Sequence, residues 1–179
     1  FKWTEEYRLI VWTSFIDDMI NFGKPEGVMD YKQKFIEQVD CDDVGPLKEY
    51  LGCKVDVNLA EKKAKITQPV LLRSLDEEYP LENYKANEFP ELPAAPGESL
   101  VPPEEGECIP AEKQKKYRTG VGKLLYLTKW SRPEISNAVR ETSRYMGGAT
   151  PKHLKAVERI VKYCLGTQNK ASHPRLTKL

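Results

Sequence analysis

Tyr7-Arg8-Leu9-Ile10-Val11-Trp12-Thr13-Ser14-Phe15-Ile16-Asp17-Asp18-Met19-Ile20-Asn21-Phe22-Gly23 holds two short apolar runs with two adjacent aspartates between them. The first run, Tyr7 to Ile16, is rich in β-branched and aromatic residues and reads as a strand. The second, Met19 to Phe22, is closed by Gly23 and Pro25. Together they read as a hairpin with Asp17 and Asp18 at its tip. Neighbouring residues on a strand point to opposite faces, so two consecutive carboxylates converge only where the chain turns. Two-residue turns favour Asn-Gly, Asp-Gly or Gly-X, which supply positive φ cheaply. Asp-Asp breaks that local preference between two apolar strands, and such departures concentrate at functional sites. Hard cations suit the pair, since Mg²⁺ takes one or two carboxylates alongside substrate phosphates. A solvated acidic turn is the other reading of Asp-Asp taken by itself.

Outward from the hairpin, Val28, Tyr31, Phe35, Ile36 and Val39 recur at helical spacing and predict a helix over 27–39. Leu47 to Val57 and Ala64 to Thr67 predict two strands, and Pro69 to Tyr79 a short helix. Seven of the 13 prolines fall in 80–110, which predicts an extended connector. Beyond it the pattern is helical. Over 112–130, Tyr117, Val121, Leu124, Leu125 and Thr128 share a face. Ser131-Arg132-Pro133-Glu134 reads as a capping box opening a helix to Met146, and Thr150-Pro151 opens another that ends at Gly166. The predicted class is α+β. Four parts follow: an acidic mixed part over 1–79, a connector over 80–110, a basic three-helix bundle over 111–167 and a tail over 168–179.

The net charge of +1 conceals an asymmetry. Residues 1–110 carry 12 Lys and Arg against 23 Asp and Glu, whereas 111–179 carry 16 against 4. A basic half suggests a polyanionic partner, although two oppositely charged lobes could equally attract each other. Lys152, Lys155, Arg159 and Lys162 step by 3, 4 and 3, which puts four cations on one helix face opposite the apolar stripe. Such a row can neutralise successive phosphates without reading bases; a solvated outer face is the bland alternative. Arg132, Arg140 and Arg144 are further candidates, Arg132 belonging also to the predicted cap. The four cysteines form no Cys-x-x-Cys pair and the two histidines lie 20 residues apart, so a zinc site, a disulfide scaffold or a thiol triad is not predicted. The longest nearly apolar run, Leu9 to Ile16, is far short of the roughly 20 residues of a membrane span, and no signal peptide opens the chain. No membrane association and an intracellular location are expected.

Phe15-Ile16-Asp17-Asp18 between its apolar runs resembles the aromatic-x-Asp-Asp hairpin of reverse transcriptases. Further blocks are similar, in order, to those of copia-type LTR retrotransposon polymerases. They are Asp43 to Gly52, Tyr117-Arg118 with Gly120 to Tyr126, Ser131 to Ile135 with Ala138-Val139 and Ser143 to Met146, and His153 with Ala156, Arg159-Ile160, Tyr163, Gly166 and Thr167. The resemblance spans about residues 11–167. It implies a partial polymerase palm followed by a thumb and connection. Asp17 and Asp18 would be catalytic and would bind Mg²⁺ or Mn²⁺ in the intact parent. Tyr50, Leu51 and Gly52 would lie at the primer terminus. Arg132, Lys152, Lys155, Arg159 and Lys162 would grip nucleic acid. The implied partners are an RNA or DNA template–primer and a deoxynucleoside triphosphate.

Some features depart from that pattern. Phe15 stands where the family usually has Tyr. A third catalytic aspartate belongs on an earlier strand, yet Glu5 and Glu6 are the only carboxylates before Asp17. The fingers also belong upstream, Gln168 to Leu179 does not read as the start of a ribonuclease H domain, and Phe1 is not Met. The expectation is a fragment of an RNA-directed DNA polymerase, inactive alone, whose missing segments would come from another chain. A non-catalytic nucleic-acid-binding module and a degraded remnant are the alternatives.

Overall fold

The computed structural model describes residues 2–58, 60–80 and 89–168. The chain divides into two units, Phe1–Leu51 and Gly52–Leu179. The first is an antiparallel meander of β1 (Lys2–Thr4), β2 (Arg8–Phe15) and β3 (Asp18–Phe22), followed by α1 (Pro25–Ile36) and the short β4 (Glu49–Tyr50). The helix starts two residues earlier than periodicity predicts, because Pro25 at its first position gives up no needed N–H. Ile10 is fully buried and Trp12 packs on Phe35 with ring centroids 5.0 Å apart, so the even-numbered face of β2 is the one α1 covers. Gly27 permits that approach, since a Cβ there would lie 2.6 Å from Cβ of Tyr7.

The second unit contains the hairpin of β5 (Cys53–Asn58) and β6 (Lys63–Thr67), then α2 (Pro69–Glu78), α3 (Ala111–Trp130), a 3₁₀ turn (Pro133–Ile135), α4 (Ser136–Ser143) and α5 (Pro151–Gly166). The mixture of helix and antiparallel strand is compatible with the α+β class. The division falls at Leu51 and Gly52, not at the proline-rich stretch that residue texture suggests. Its cause is packing: Leu72, Leu75 and Tyr79 share one core with Tyr117, Val121, Leu124 and Leu127 of α3, Val139 of α4, and Val157, Ile160, Val161 and Cys164 of α5. Burying each large apolar side chain contributes about 1.5–3 kcal/mol. Among the described residues of the first unit only Ile10 is a buried hydrophobe, so the second unit has far more to hold it together.

Two local expectations fail. Ser131 and Glu134 form no capping box. Ser131 Oγ donates to Gln68 Oε1 at 2.8 Å, Glu134 accepts from Arg132, and the α-helix begins only at Ser136. Leu125, predicted for the buried face of α3, is 42% exposed, and Leu127 is buried instead. The predicted opening of α5 is present: Thr150 Oγ1 accepts from the His153 amide while the Thr150 amide donates to His153 Nδ1 at 3.0 Å.

The proline-rich stretch is a strap across the helices. Residues 81–88 of the predicted connector and 169–179 of the predicted tail lie outside the described residues. From Phe89 to Pro110 the chain forms no helix or strand. Tyr145 Oη donates to the Leu100 carbonyl at 2.8 Å, and the Ile109 amide donates to the Ala149 carbonyl, also at 2.8 Å. His153 is buried and stacked on Tyr145, and its Nε2 lies 2.9 Å from the Val101 carbonyl. Because Nδ1 accepts from an amide, Nε2 carries the proton and the ring is held neutral. Burial lowers its pKa, partly offset by the bond to Val101, while Lys152 lowers it further and Glu107 raises it. The unfolded chain therefore binds this proton first as pH falls below about 6.5. The melting temperature is expected to drop between pH 7 and 5, with a shallower drop in His153→Gln.

Candidate active site and nucleic-acid interface

Phe15 pairs directly with Asp18, so Ile16 and Asp17 form a two-residue turn. Ile16 sits at φ +56°. Positive φ is a genuine outlier for a β-branched residue, costing about 1–3 kcal/mol, and glycine would relieve it. The strained turn holds both aspartates at the tip, exposed, beside Phe15 and Ile16 at 54% and 84% exposure. Asp18 shares the face of Phe15, opposite the face covered by α1. Both carboxylates are exposed oxygen donors, of the kind a hard cation takes alongside phosphate and water. They do not by themselves fit a two-metal centre. Among the described residues no group of three or more His, Cys, Asp or Glu is placed to hold a metal.

Tyr50 ends β4 half-buried, and Leu51 and Gly52 follow at φ +49° and +71°. Two consecutive left-handed residues make a tight turn there.

The cations of α5 differ from one another. Lys152 donates to the Ser99 carbonyl at 3.3 Å and Arg159 Nε to the Leu92 carbonyl at 3.2 Å, so the strap engages both. Lys155 is exposed and Lys162 half-buried. Arg132 is not a surface contact at all. It is 2% exposed, and its guanidinium donates to Glu134 Oε1 (2.6 Å), the Cys164 carbonyl (3.1 Å) and Thr167 Oγ1 (2.6 Å). The sequence-level assignment of Arg132 to nucleic acid is corrected: the residue is a strut at the end of α5. Arg140 and Arg144 are exposed, but both pair with Glu141 at 3.2 Å.

A second cationic face escaped the sequence reading. Lys115, Arg118, Gly122, Tyr126 and Lys129 step by 3, 4, 4 and 3 along α3, and all are exposed. The same i, i+3/i+4 spacing marks it, but Gly122 and Tyr126 interrupt the cations, so the sequence shows no continuous basic row there. Thiol chemistry has no support at Cys164, because burial pushes its pKa up to about 12 and leaves almost no thiolate at neutral pH.

No helix among the described residues is long and apolar enough to cross a membrane. No protein-family model matches the chain, and no solved structure matches it. It is 27% identical over 168 residues, 93% of its length, to the retrovirus-related Pol polyprotein from transposon TNT 1-94 of Nicotiana tabacum. Over 54 residues it is 46% identical to the corresponding polyprotein from transposon RE1 of Arabidopsis thaliana, and over 52 residues 42% identical to that from RE2. It spans 13% of the length of the first of these and 4% of each of the others. Nearly the whole chain is thus similar to a short part of one retrovirus-related Pol polyprotein of a plant transposon, and 30% and 29% of it to short parts of two others.

Proposed function

We propose that this chain is part of a retrotransposon reverse transcriptase, carrying the Asp17-Asp18 hairpin of the palm and the helices that grip the template–primer. The observation that carries the reading is the turn at Ile16. A β-branched residue at φ +56° stands where glycine would be strain-free, at an exposed tip that carries two carboxylates. Similarity to one Pol polyprotein over 93% of the chain supports the same reading. In the intact parent, Mg²⁺ or Mn²⁺ would supply charge neutralisation at the phosphates. Asp17 and Asp18 would hold part of its coordination shell. Lys152, Lys155, Arg159 and Lys162 would contact the duplex backbone, with Lys115 and Lys129 of α3 as a second track.

A non-catalytic nucleic-acid-binding module is the second reading, favoured by the absence of a third acid beside Asp17 and Asp18 among the described residues. Both readings require nucleic-acid binding, which fluorescence anisotropy on an RNA–DNA primer–template hybrid measures directly. Affinity should fall steeply with salt. Lys155→Ala with Arg159→Ala should make the log–log slope shallower by about 1 to 2. Lack of binding by a folded chain would remove both. Primer extension separates them: the chain alone should be inactive, and activity should return on adding the missing palm and fingers as a separate fragment, then vanish in Asp17→Asn.

A further inference from the structure

We propose that the proline-rich strap, Phe89 to Pro110, is an autoinhibitory cover that competes with polyanions for the cationic face of α5. The proposal rests on the nucleic-acid reading of that face. The strap runs antiparallel to α5: Phe89 packs against Gly166, Leu92 meets Arg159, and Ser99 meets Lys152. At Gly166 an added Cβ would lie 2.6 Å from the Phe89 ring, so the aromatic side chain seats directly on the helix backbone. At the other end the Ile109 amide is bonded to Ala149 and the Ile109 side chain is buried. Both ends are thus pinned, while Glu91, Leu92, Glu98 and Ser99 between them are exposed.

The composition of the strap suits this role. It contains five glutamates (91, 98, 104, 105 and 107), all exposed, and no Lys or Arg. An acidic segment laid over a basic helix opposes an incoming phosphate backbone by charge as well as by volume. Its grip on the cations is weak by design of the contacts. Lys152 and Arg159 donate to neutral carbonyls, whereas a phosphate oxygen in the same place would add the opposite charge that a carbonyl lacks. Prolines 90, 93, 96, 102 and 103 keep the segment from pairing as a ladder or coiling into a helix, so little regular structure has to break when it lifts. A polyanion can then displace the middle of the strap while Phe89 and Ile109 stay anchored.

The test is hybrid binding at about 0.1 M salt, where charges farther than about 10 Å from the duplex are largely screened. The strap variant carries Glu→Gln at 91, 98, 104, 105 and 107. A charge-matched control carries Glu→Gln at 5, 26, 49, 61 and 77, all exposed and outside the strap. The strap variant is expected to bind about tenfold tighter than the control, the order of magnitude of a typical coupling between sites. Tyr145→Phe removes the bond to Leu100 without altering charge, and it should tighten binding several-fold. Equal affinity of strap variant and control, with no gain in Tyr145→Phe, would overturn autoinhibition and leave the nucleic-acid reading standing. A gain in the strap variant without one in Tyr145→Phe would reduce the strap to a source of repulsion and overturn the cover. Absence of binding by all four folded proteins would remove the nucleic-acid reading, and the cover with it.

Discussion

Arg132→Ala should destabilise the helical unit by about 2–4 kcal/mol, read as a fall in the urea midpoint, and a phosphate-contacting arginine would show nothing of the kind. The magnitude comes from burial. The guanidinium is 2% exposed and lies over the Tyr163 ring, with its carbon 5.4 Å from the centroid. Its donors satisfy the Cys164 carbonyl and the Thr167 carbonyl and hydroxyl, all at the C-terminal end of α5. Terminal carbonyls of a helix have no partner within it, and a cation there also meets the negative end of the helix dipole. Truncation strands those acceptors and opens a cavity. Glu134 contributes less to the loss, because it is 40% exposed and water replaces its partner. Arg132→Lys should fall between wild type and alanine, keeping the charge but losing the planar fork that reaches four acceptors. A typical domain is stable by only 5–15 kcal/mol, so the alanine variant should unfold in mild denaturant. If Arg132→Ala instead left stability unchanged and weakened nucleic-acid binding, the strut would be wrong and the surface assignment right.

Arg132 also marks where residue-level reading stops. Its neighbours Ser131 and Glu134 have the spacing of a capping box, and local pattern alone cannot foresee that Gln68, 63 residues away, offers Ser131 a buried partner. Long-range pairing overrode a local signal. The hairpin at 7–22 was legible for the opposite reason: its strands are adjacent, their residues are β-branched and aromatic, and the register needs only a two-residue turn. The faces of α5 were legible because Val157, Ile160, Val161 and Cys164 follow helical period strictly. The strap was legible as irregular but not as a partner, since its contacts are backbone carbonyls, which every sequence possesses. That omission matters for the candidate interface. Four cations that look equivalent in sequence become two engaged by the strap, one exposed and one half-buried. The division at Leu51 and Gly52 was missed because proline density tracks the absence of regular structure, whereas unit boundaries follow shared cores.

Gly120 and Gly122 stand one residue apart on either side of Val121 in α3, and alanine at the two positions should have opposite effects. In a helix interior glycine is about 1 kcal/mol worse than alanine, so the default expectation for both is a gain. Gly122 meets that default: nothing lies within 4 Å of a Cβ built there, and Gly122→Ala should raise stability by about 0.5–1 kcal/mol. Gly120 does not. An added Cβ there collides with the Tyr79 hydroxyl and comes within 3.0 Å of two ring carbons. The ring cannot readily swing away. Tyr79 is buried, its hydroxyl donates to the Lys116 carbonyl at 3.0 Å, and the Lys116 ammonium lies 4.5 Å from the ring centroid. Making room means breaking that bond or lifting α2 from α3, and overpacking of this kind costs about 1–3 kcal/mol. That range exceeds the propensity gain, so Gly120→Ala should be net destabilising by about 1–2 kcal/mol and Gly120→Val by more. Urea titrations of the single variants check the signs. The double variant Gly120→Ala with Tyr79→Phe tests the cause, because removing the hydroxyl takes away the tightest contact and should recover part of the loss. Equal gains at 120 and 122 would mean that α2 does not dock on α3 through Tyr79.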